Sequence, residues 1–421
     1  MSILIRGASV QGHAKDILIE GDRITRIAER LETAPSGADV IDARGRIATP
    51  SLANGHAHSA MTLLRGIAED MELMPWLREA IWPREARLSP DDIYWGTRLA
   101  ALEMIRTGTT VCHDMYLDAE AVARAARDSG MRFVVGYALI DGLDETKAAA
   151  QREACGRFFA NLPEYGPRVR FALAAHSVYA TCAESLRWLG NLSREKGLIL
   201  HVHLAETEIE DQECRARTGL SPARYLDSLG ALGPLTLAAH CLWLDEADWN
   251  LLAERGAAVV HNPVSNMKLA SGPAFDYEAA RSRGIRVILG TDGAASNNGL
   301  DLFADMKIAG LLQKQHYGNS RRFPVEEIVD AATRQGHEFL GTGAGRLAEG
   351  CAADLVLIDV NRPCMVPCHD LAANLVYAGA GAAVDTTICA GRVLMRGGRI
   401  EGEAEIIAEA RARALALAAA G

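Results

Sequence analysis

The sequence predicts an α/β fold in which a (β/α)8 TIM barrel is joined to a small β-sandwich domain built from both termini. Two observations support this prediction. Eight short apolar runs alternate with helix-like stretches through the middle of the 421-residue chain, and polar and apolar residues alternate at both ends. Apolar strands separated by helices are typical of a parallel barrel that is buried on both faces, whereas alternation is typical of antiparallel strands.

The predicted domains follow the chain in order. Residues 1–53 supply the N-terminal part of the sandwich, because alternating segments such as ILIRGASV are separated by glycine turns there. Residues 54–345 form the barrel. Its first strand ends at His56 and His58, and the other seven apolar runs cover residues 109–115, 132–139, 169–177, 198–206, 235–243, 257–266 and 286–293.

Helix signals separate these runs. Residues 89–107 are predicted as a helix because Ser89 and Pro90 form an N-terminal signature and Gly108 a stop. Residues 221–229 begin with Ser-Pro in the same way. Residues 346–421 complete the sandwich and end in an alanine-rich helix, since residues 353–400 alternate in polarity and residues 401–420 carry Glu and Arg at helical spacing.

Composition favours an enzyme with a small substrate. The net charge is -10, and the sequence contains no Lys/Arg cluster of the kind that binds nucleic acid. The sequence shows neither a signal-peptide core nor an apolar stretch long enough for a membrane span. The nine cysteines are scattered and form no CxxC pair, so we expect reduced thiols. These features predict a cytoplasmic protein that contacts neither membrane nor nucleic acid.

Polar residues stand at the ends of several apolar runs. They are His56 and His58, His203 with Glu206 behind it, His240, and Asp292. The carboxyl ends of barrel strands meet at one rim, where barrel enzymes keep their catalytic groups. Three imidazoles and one carboxylate suit a divalent metal, so we predict His56, His58, His203 and Asp292 as ligands. Glu206 and His240 are then free for proton transfer, which indicates a metallohydrolase.

Each of these residues also has a structural interpretation. Residues i and i+2 of a strand share a face, so His56 and His58 point together, but His203 has His201 as its same-face neighbour. His201 lies earlier in its run and is interpreted as a packing residue. Asp292 could cap a following helix, although a position at the end of the eighth strand, opposite three histidines, favours a metal ligand.

Longer segments resemble the amidohydrolase superfamily, and within it the branch of methylthioadenosine/S-adenosylhomocysteine deaminases. The resemblance covers nearly the whole chain. Its clearest segments are PSLANGHAHSAMTLLRG (50–66), LMPWL (73–77), IWPREARL (81–88), AHSVYA (175–180), HVHLAETE (201–208), HNPVSNMKLASG (261–272), LGTDGAASNNGLDLFADMK (289–307) and GRLAEGCAADLVLID (345–359).

The resemblance implies roles for individual residues. His56, His58, His203 and Asp292 match the metal ligands, and Glu206 and His240 match the catalytic acid/base and the polarising histidine. Asp292 also accepts the proton of the attacking water. Glu85 matches a ribose-binding glutamate and His176 a substrate-contacting histidine, while Trp76 and Glu206 complete the substrate site. The implied reaction is hydrolytic deamination of an adenine nucleoside with release of ammonia.

A single metal ion is expected. Binuclear relatives bridge two metals with a carboxylated lysine at the end of the fourth strand, and residues 169–177 contain no lysine. Three nitrogens and one oxygen suit Zn²⁺ best, with Fe²⁺ or Mn²⁺ as alternatives. The sequence is compatible with a homo-oligomer and leaves the oligomeric state open.

The chain departs from this branch at two places. Relatives that accept a homocysteine tail carry arginines after the third strand. In this chain, residues 133–151 contain no arginine and a single lysine, Lys147, and the nearest arginine is Arg152. Val264 stands where an acidic or hydroxyl residue is usual. Alternatives therefore stay open: a deaminase or chlorohydrolase of s-triazines, a guanine-type deaminase, or a barrel scaffold without activity. The filled ligand positions argue against the scaffold.

Overall fold

The computed structural model describes residues 2–419 and contains two β-sheets. The strands, numbered in chain order, are β1 (Ser2–Val10), β2 (His13–Glu20), β3 (Arg23–Ala28), β4 (Asp39–Asp42), β5 (Arg46–Pro50), β6 (Leu52–His58), β7 (Thr109–Tyr116), β8 (Arg132–Leu139), β9 (Val169–Ala175), β10 (Leu200–Leu204), β11 (Thr236–His240), β12 (Ala258–His261), β13 (Val287–Leu289), β14 (Asp292–Gly293), β15 (Leu355–Asp359), β16 (Val384–Cys389) and β17 (Arg392–Met395).

Strands β6 to β14 form a parallel sheet of the TIM-barrel type. The strand order is β13-β12-β11-β10-β9-β8-β7-β6-β14. The two outermost strands are pieces of one segment, since only two residues separate β13 from β14. Strand β13 pairs with β12, and β14 pairs with β6, where Asp292 lies opposite Ala57. This interrupted eighth strand joins the two sides of the sheet and brings Asp292 beside the HAH segment of β6.

Close backbone approach at the interruption requires glycine. A Cβ atom on Gly290 would lie 2.4 Å from Asn262 Oδ1 and 3.0 Å from the backbone nitrogen of His56. On the neighbouring strand, a Cβ on Gly55 would lie 2.6 Å from a methyl carbon of Ile288. Because backbone atoms cannot move away as a flexible side chain can, we infer that these glycines allow β6 and the eighth strand to meet.

Helices surround the barrel. The α-helices, numbered in chain order, are α1 (Leu73–Pro75), α2 (Trp82–Glu85), α3 (Pro90–Arg106), α4 (Ala119–Ser129), α5 (Glu145–Ala160), α6 (Ala183–Lys196), α7 (Glu208–Thr218), α8 (Pro222–Ser228), α9 (Glu246–Arg255), α10 (Pro263–Lys268), α11 (Tyr277–Ser282), α12 (Leu302–His316), α13 (Val325–Ala332), α14 (Arg334–Phe339), α15 (Leu371–Tyr377) and α16 (Glu403–Ala419). A π-helical turn, Trp76–Ile81, connects α1 to α2.

The predicted helix starts are confirmed at α3 and α8. Ser89 and Asp92 form a capping box on α3, and the Ser221 hydroxyl accepts a hydrogen bond from the first turn of α8. The strand predicted over residues 257–266 is wrong beyond His261. Pro263 begins α10 there, because proline lacks the N–H that a strand would need and is suited to the first turn of a helix.

Both ends of the chain build the second sheet. Its order is β17-β16-β15-β5-β1-β2-β3, and β4 pairs with β1. The two termini join where β5 and β15 run antiparallel, with Pro50 opposite Leu355. Buried isoleucines of β1 to β3 form its core together with Leu355 and Leu357. The prediction that both termini share one β-unit is confirmed. The structure describes this unit as one hydrogen-bonded sheet, so its division into two packed layers, like the domain boundaries near residues 53 and 345, stays a prediction.

The barrel is closed at the amino ends of its strands. Ala53, Val111, Val134 and Ala172 form a small apolar layer there, and Leu340 covers it from the segment after α14. Within residues 2–419, no helix is both long and apolar enough to cross a membrane. The open carboxyl ends of the strands carry the polar residues singled out from the sequence.

Candidate metal and catalytic site

Four side chains from three parts of the barrel converge at this rim. The Nε2 atoms of His56 and His58 each lie 3.2 Å from Asp292 Oδ1. His203 Nε2 lies 3.3 Å from His58 Nε2. Ligand atoms of His56, His58 and His203 are all within 4.8 Å of one another. Three nitrogens and one carboxylate oxygen therefore surround one small volume, as a single divalent cation requires.

Hydrogen bonds at the far side of each ring set its tautomer. His58 Nδ1 lies 2.6 Å from the Met115 carbonyl, and His203 Nδ1 lies 2.7 Å from the His176 carbonyl. A carbonyl only accepts, so each Nδ1 carries the proton and each Nε2 presents its lone pair to the cluster. His56 is fully buried, and neither of its ring nitrogens has a hydrogen-bond partner among the described residues. The donor set thus fits a metal ion.

Asp292 is held by two serines that the sequence analysis did not identify. Its Oδ2 accepts hydrogen bonds from Ser265 Oγ at 2.6 Å and from Ser296 Oγ at 3.2 Å, which leaves Oδ1 facing the histidines. Burial alone would raise the pKa of Asp292, but the neighbouring imidazole rings of His56 and His58 hold it well below its usual range. The carboxylate is therefore ionised.

Left-handed backbone conformations mark the ends of the site-bearing strands. The φ angles are 61° at Asp292, 73° at His240, 53° at Cys241 and 50° at Ala205. Such a conformation costs about 1–3 kcal/mol at a residue other than glycine, and it occurs where a site demands a particular direction of the side chain. Each of these residues is buried. The packed and hydrogen-bonded surroundings of these residues hold the backbone in the left-handed conformation.

Glu206 and His240 lie beside the histidine cluster. His240 Nδ1 is 3.8 Å from Glu206 Oε1 and 2.7 Å from Asn266 Oδ1. The amide oxygen only accepts, so Nδ1 donates to it. Burial raises the pKa of Glu206, although nearby His240 opposes the shift. A carboxyl group with a raised pKa is suited to both giving and taking a proton near neutral pH.

A second buried glutamate fixes the segment that carries Glu206. Glu210 on α7 accepts hydrogen bonds from the backbone N–H groups of Ala205 at 3.0 Å and of Glu206 at 2.8 Å. Burial raises the pKa of Glu210 to about 8. The sequence analysis missed this residue. The only available signal was its spacing of four residues from Glu206, which places it on the first turn of the helix capped by Thr207.

The predicted substrate residues line the same cavity as the cluster. This cavity has a volume of about 580 Å³, and its walls include Trp76, Glu85 and His176 as well as Glu206 and Asp292. The size suits a nucleoside-sized ligand. Glu85 follows the π-helical turn, and burial raises the pKa of its carboxyl group although Tyr116 opposes the shift. Trp76 is buried, and the ring of His176 lies 4.8 Å from that of His203.

Several neighbours lie outside the cluster. His201 Nδ1 is 2.7 Å from His113 Nδ1 in the interior of the barrel, consistent with the packing interpretation. Arg152 is held at 3.1 Å from Ser185 Oγ. Two cations, Arg78 and Lys147, line the cavity, and both are exposed. Val264 lies on α10 between Pro263 and the Asp292-binding Ser265.

Comparison with known proteins reveals a family model and close relatives. Residues 47–394 match the model described as "Amidohydrolase family". The chain is 47% identical over 420 residues to a 5′-deoxyadenosine deaminase of Methanoregula boonei, covering 99% of this chain and 95% of that protein. It is 40% identical over 403 residues to 5-methylthioadenosine/S-adenosylhomocysteine deaminase 1 of Archaeoglobus fulgidus, covering 96% and 94%.

One solved structure is similar to this chain over nearly its whole length. An adenosine deaminase from Xanthomonas campestris with bound zinc superimposes with a TM-score of 0.90 at 30% identity. The alignment covers 99% of this chain and 98% of that one. The similarity therefore includes the barrel and the sheet built from both termini.

Proposed function

The chain belongs to the amidohydrolase family, and we propose that it is a metal-dependent hydrolytic deaminase of adenine nucleosides that releases ammonia. One observation carries this proposal. A cluster of three histidines and one carboxylate lies in the same cavity as an unligated glutamate, Glu206, with His240 beside it. The relatives named as deaminases of 5′-deoxyadenosine and of methylthioadenosine/S-adenosylhomocysteine supply the substrate class.

We propose that His56, His58, His203 and Asp292 hold one divalent cation, with Zn²⁺ the best match to this ligand set. The protonated Nδ1 atoms of His58 and His203 and the serine-bound Oδ2 of Asp292 support these roles. The bound cation supplies the Lewis acidity that makes water a nucleophile at neutral pH. A single ion is proposed because strand β9 carries no lysine.

The protein's own groups move the protons. Asp292 Oδ1 takes a proton from the attacking water, and His240 orients that water and stabilises the tetrahedral centre. Glu206 gives its proton to the ring nitrogen next to the amine-bearing carbon, so that negative charge does not build up on the purine. Glu206, now a carboxylate, takes the hydroxyl proton of the tetrahedral centre and passes it to the amine, which leaves as ammonia. The proton held by Asp292 then returns to Glu206, so both carboxyl groups regain their starting states. Glu210 keeps the backbone of Glu206 in place during both transfers.

Glu85, His176 and Trp76 are proposed to bind the nucleoside. The carboxylate of Glu85 accepts hydrogen bonds from the ribose hydroxyls, while Trp76 forms an apolar wall beside the base. His176 contacts the sugar side of the substrate. All three line the cavity that holds Glu206.

The ribose contact predicts a selective loss. Glu85→Ala, or the use of 2′-deoxyadenosine, removes one partner of a hydrogen bond in a partly dry pocket and costs about 1.5–3 kcal/mol. We expect kcat/KM to fall about tenfold or more in both cases. Glu79→Ala is a matched control, because Glu79 is an exposed glutamate of the adjoining π-helical turn. Equal turnover of free adenine and adenosine would indicate a base deaminase instead.

The 5′ end of the substrate is predicted to be uncharged. A buried charge-assisted hydrogen bond to a homocysteine carboxylate would contribute about 1.5–3 kcal/mol. Arg152 is held by Ser185, and an exposed cation such as Lys147 contributes at most about 1 kcal/mol. Adenosine, 5′-deoxyadenosine and methylthioadenosine should therefore be turned over at least as efficiently as S-adenosylhomocysteine. A preference of tenfold or more for S-adenosylhomocysteine would overturn this prediction, and Lys147→Met would show whether Lys147 supplies the cation.

The function itself is tested by measuring ammonia release from a panel of amines. The panel consists of these four nucleosides together with guanine and melamine. We expect release from the adenine nucleosides and none above background from guanine or melamine. Release confined to guanine or melamine would place the chain in one of the alternative classes of the same family.

A further inference from the structure

Three arginines surround a small cleft at the opposite end of the barrel from the candidate active site. Arg132 is the first residue of β8, Arg168 precedes β9, and Arg170 is the second residue of β9. They line a cavity of about 90 Å³ together with Pro167 and Thr342. Because these residues lie at the amino ends of parallel strands, the cleft is separated from the histidine cluster by the length of the barrel.

Only one of these guanidinium groups is neutralised. The Nε and Nη2 atoms of Arg132 bind the buried Asp354 carboxylate at 3.0 Å. Among residues 2–419, no carboxylate lies within 4.0 Å of the side chain of Arg168 or Arg170, and neither side chain makes a hydrogen bond to a described group. Arg392 on β17 lacks such a partner as well.

The positive charges are close enough to influence one another. Burial, followed by the guanidinium groups of Arg392 and Arg132, lowers the pKa of Arg168. Burial and Arg132 likewise lower the pKa of Arg170. The Nε atom of Arg168 is buried and has no described hydrogen-bond partner. A buried donor without a partner is unfavourable, and so is the grouping of like charges.

Several arginines elsewhere in the protein are paired with carboxylates. The net charge is -10, and other surface arginines such as Arg224, Arg281 and Arg334 each lie near two carboxylates. The three arginines of the cleft have one neutralising carboxylate among them, Asp354. An anion from solution would supply both the missing charge and the missing hydrogen-bond acceptors.

We propose that this cleft binds a free tetrahedral oxyanion of the phosphate type. The planar guanidinium group presents paired N–H donors that match two oxygens of phosphate, so Arg168 and Arg170 would bind it together. The volume admits one small ion and excludes a nucleoside. The site does not depend on the proposed deaminase activity.

The proposal is tested by calorimetric titration of the full-length protein with inorganic phosphate at constant ionic strength. We expect saturable binding of one ion at this site. In R168Q/R170Q the dissociation constant should be at least tenfold higher, because charge-assisted hydrogen bonds are lost. R321Q is the matched control, since Arg321 is exposed and has no described side-chain partner. It should bind phosphate like the parent protein.

Two further measurements keep the test decisive. R170Q leaves Arg168 and the Arg132–Asp354 pair unchanged and should weaken binding several-fold even if the double variant folds poorly. Glycerol phosphate should bind more weakly than inorganic phosphate, because the cleft lacks room for a substituent. The deaminase activity of all these variants should equal that of the parent. Heats of phosphate injection equal to those of sodium chloride, or an unchanged dissociation constant in R168Q/R170Q and in R170Q, would overturn the proposal.

Discussion

Glu206→Gln should reduce kcat for adenosine by about 10²–10⁴-fold, the range typical of an acid/base group, while the metal content stays unchanged. Glutamine keeps the size of the side chain and its ability to hydrogen-bond, but it cannot give and take a proton. Glu206 makes its nearest ionic contact with His240 rather than with the histidine cluster. Steady-state kinetics together with metal analysis of the same sample measures both quantities.

Glu208→Gln is the control for this experiment. Glu208 begins α7 two residues later and is exposed, so its replacement should leave kcat and metal content unchanged. Near-normal turnover in Glu206→Gln would remove Glu206 from the mechanism. A loss of metal in that variant would mean that Glu206 acts as a ligand.

His203→Ala should abolish tight metal binding and with it the deaminase activity. The protein after gentle purification should contain close to one equivalent of divalent metal per chain, because one oxygen and three nitrogens surround one volume. Removing His203 takes away one of the three nitrogens and the side-chain hydrogen bond to the His176 carbonyl, which keeps the backbone N–H of residue 203 as a donor. Elemental analysis by mass spectrometry checks the stoichiometry.

His13→Ala is the corresponding control, since His13 is an exposed residue of β2 in the terminal sheet. It should retain metal and activity. Two tightly held equivalents in the parent protein would contradict the single-ion proposal. Full metal content in His203→Ala would exclude His203 from the ligand set.

Much of the fold follows from local patterns in the sequence. The apolar runs predict the barrel strands and the alternating ends predict a shared β-unit, because burial on two faces and on one face leaves different patterns of polarity. Proline and serine mark the start of α3 and α8 in the same local manner. The strand prediction beyond His261 was wrong for a local reason as well, because Pro263 begins a helix and so ends the strand that the apolar run indicates.

The site was predictable only in part. His56 and His58 share a strand face, and the position of His203, His240 and Asp292 at strand exits places them on one rim. The supporting residues were not predictable, because a serine or glutamate has many ordinary uses in a sequence. Ser265 and Ser296 bind Asp292, Asn266 binds His240, and Glu210 holds the Glu206 backbone through contacts that only the folded chain creates.

By itself, the sequence determined the alternation of strands and helices, the residue types at the strand exits and the resemblance that carries the substrate class. The tertiary structure alone decided which atoms meet. It divides the eighth strand so that Asp292 lies beside β6, and it brings Arg132 within hydrogen-bonding distance of Asp354 although 222 positions separate them in the chain. The reason is physical. The periodicity of a sequence indicates whether a side chain faces water or the interior. Distances between side chains that are remote in the chain depend on strand register, strained backbone angles and packing, which no local pattern encodes.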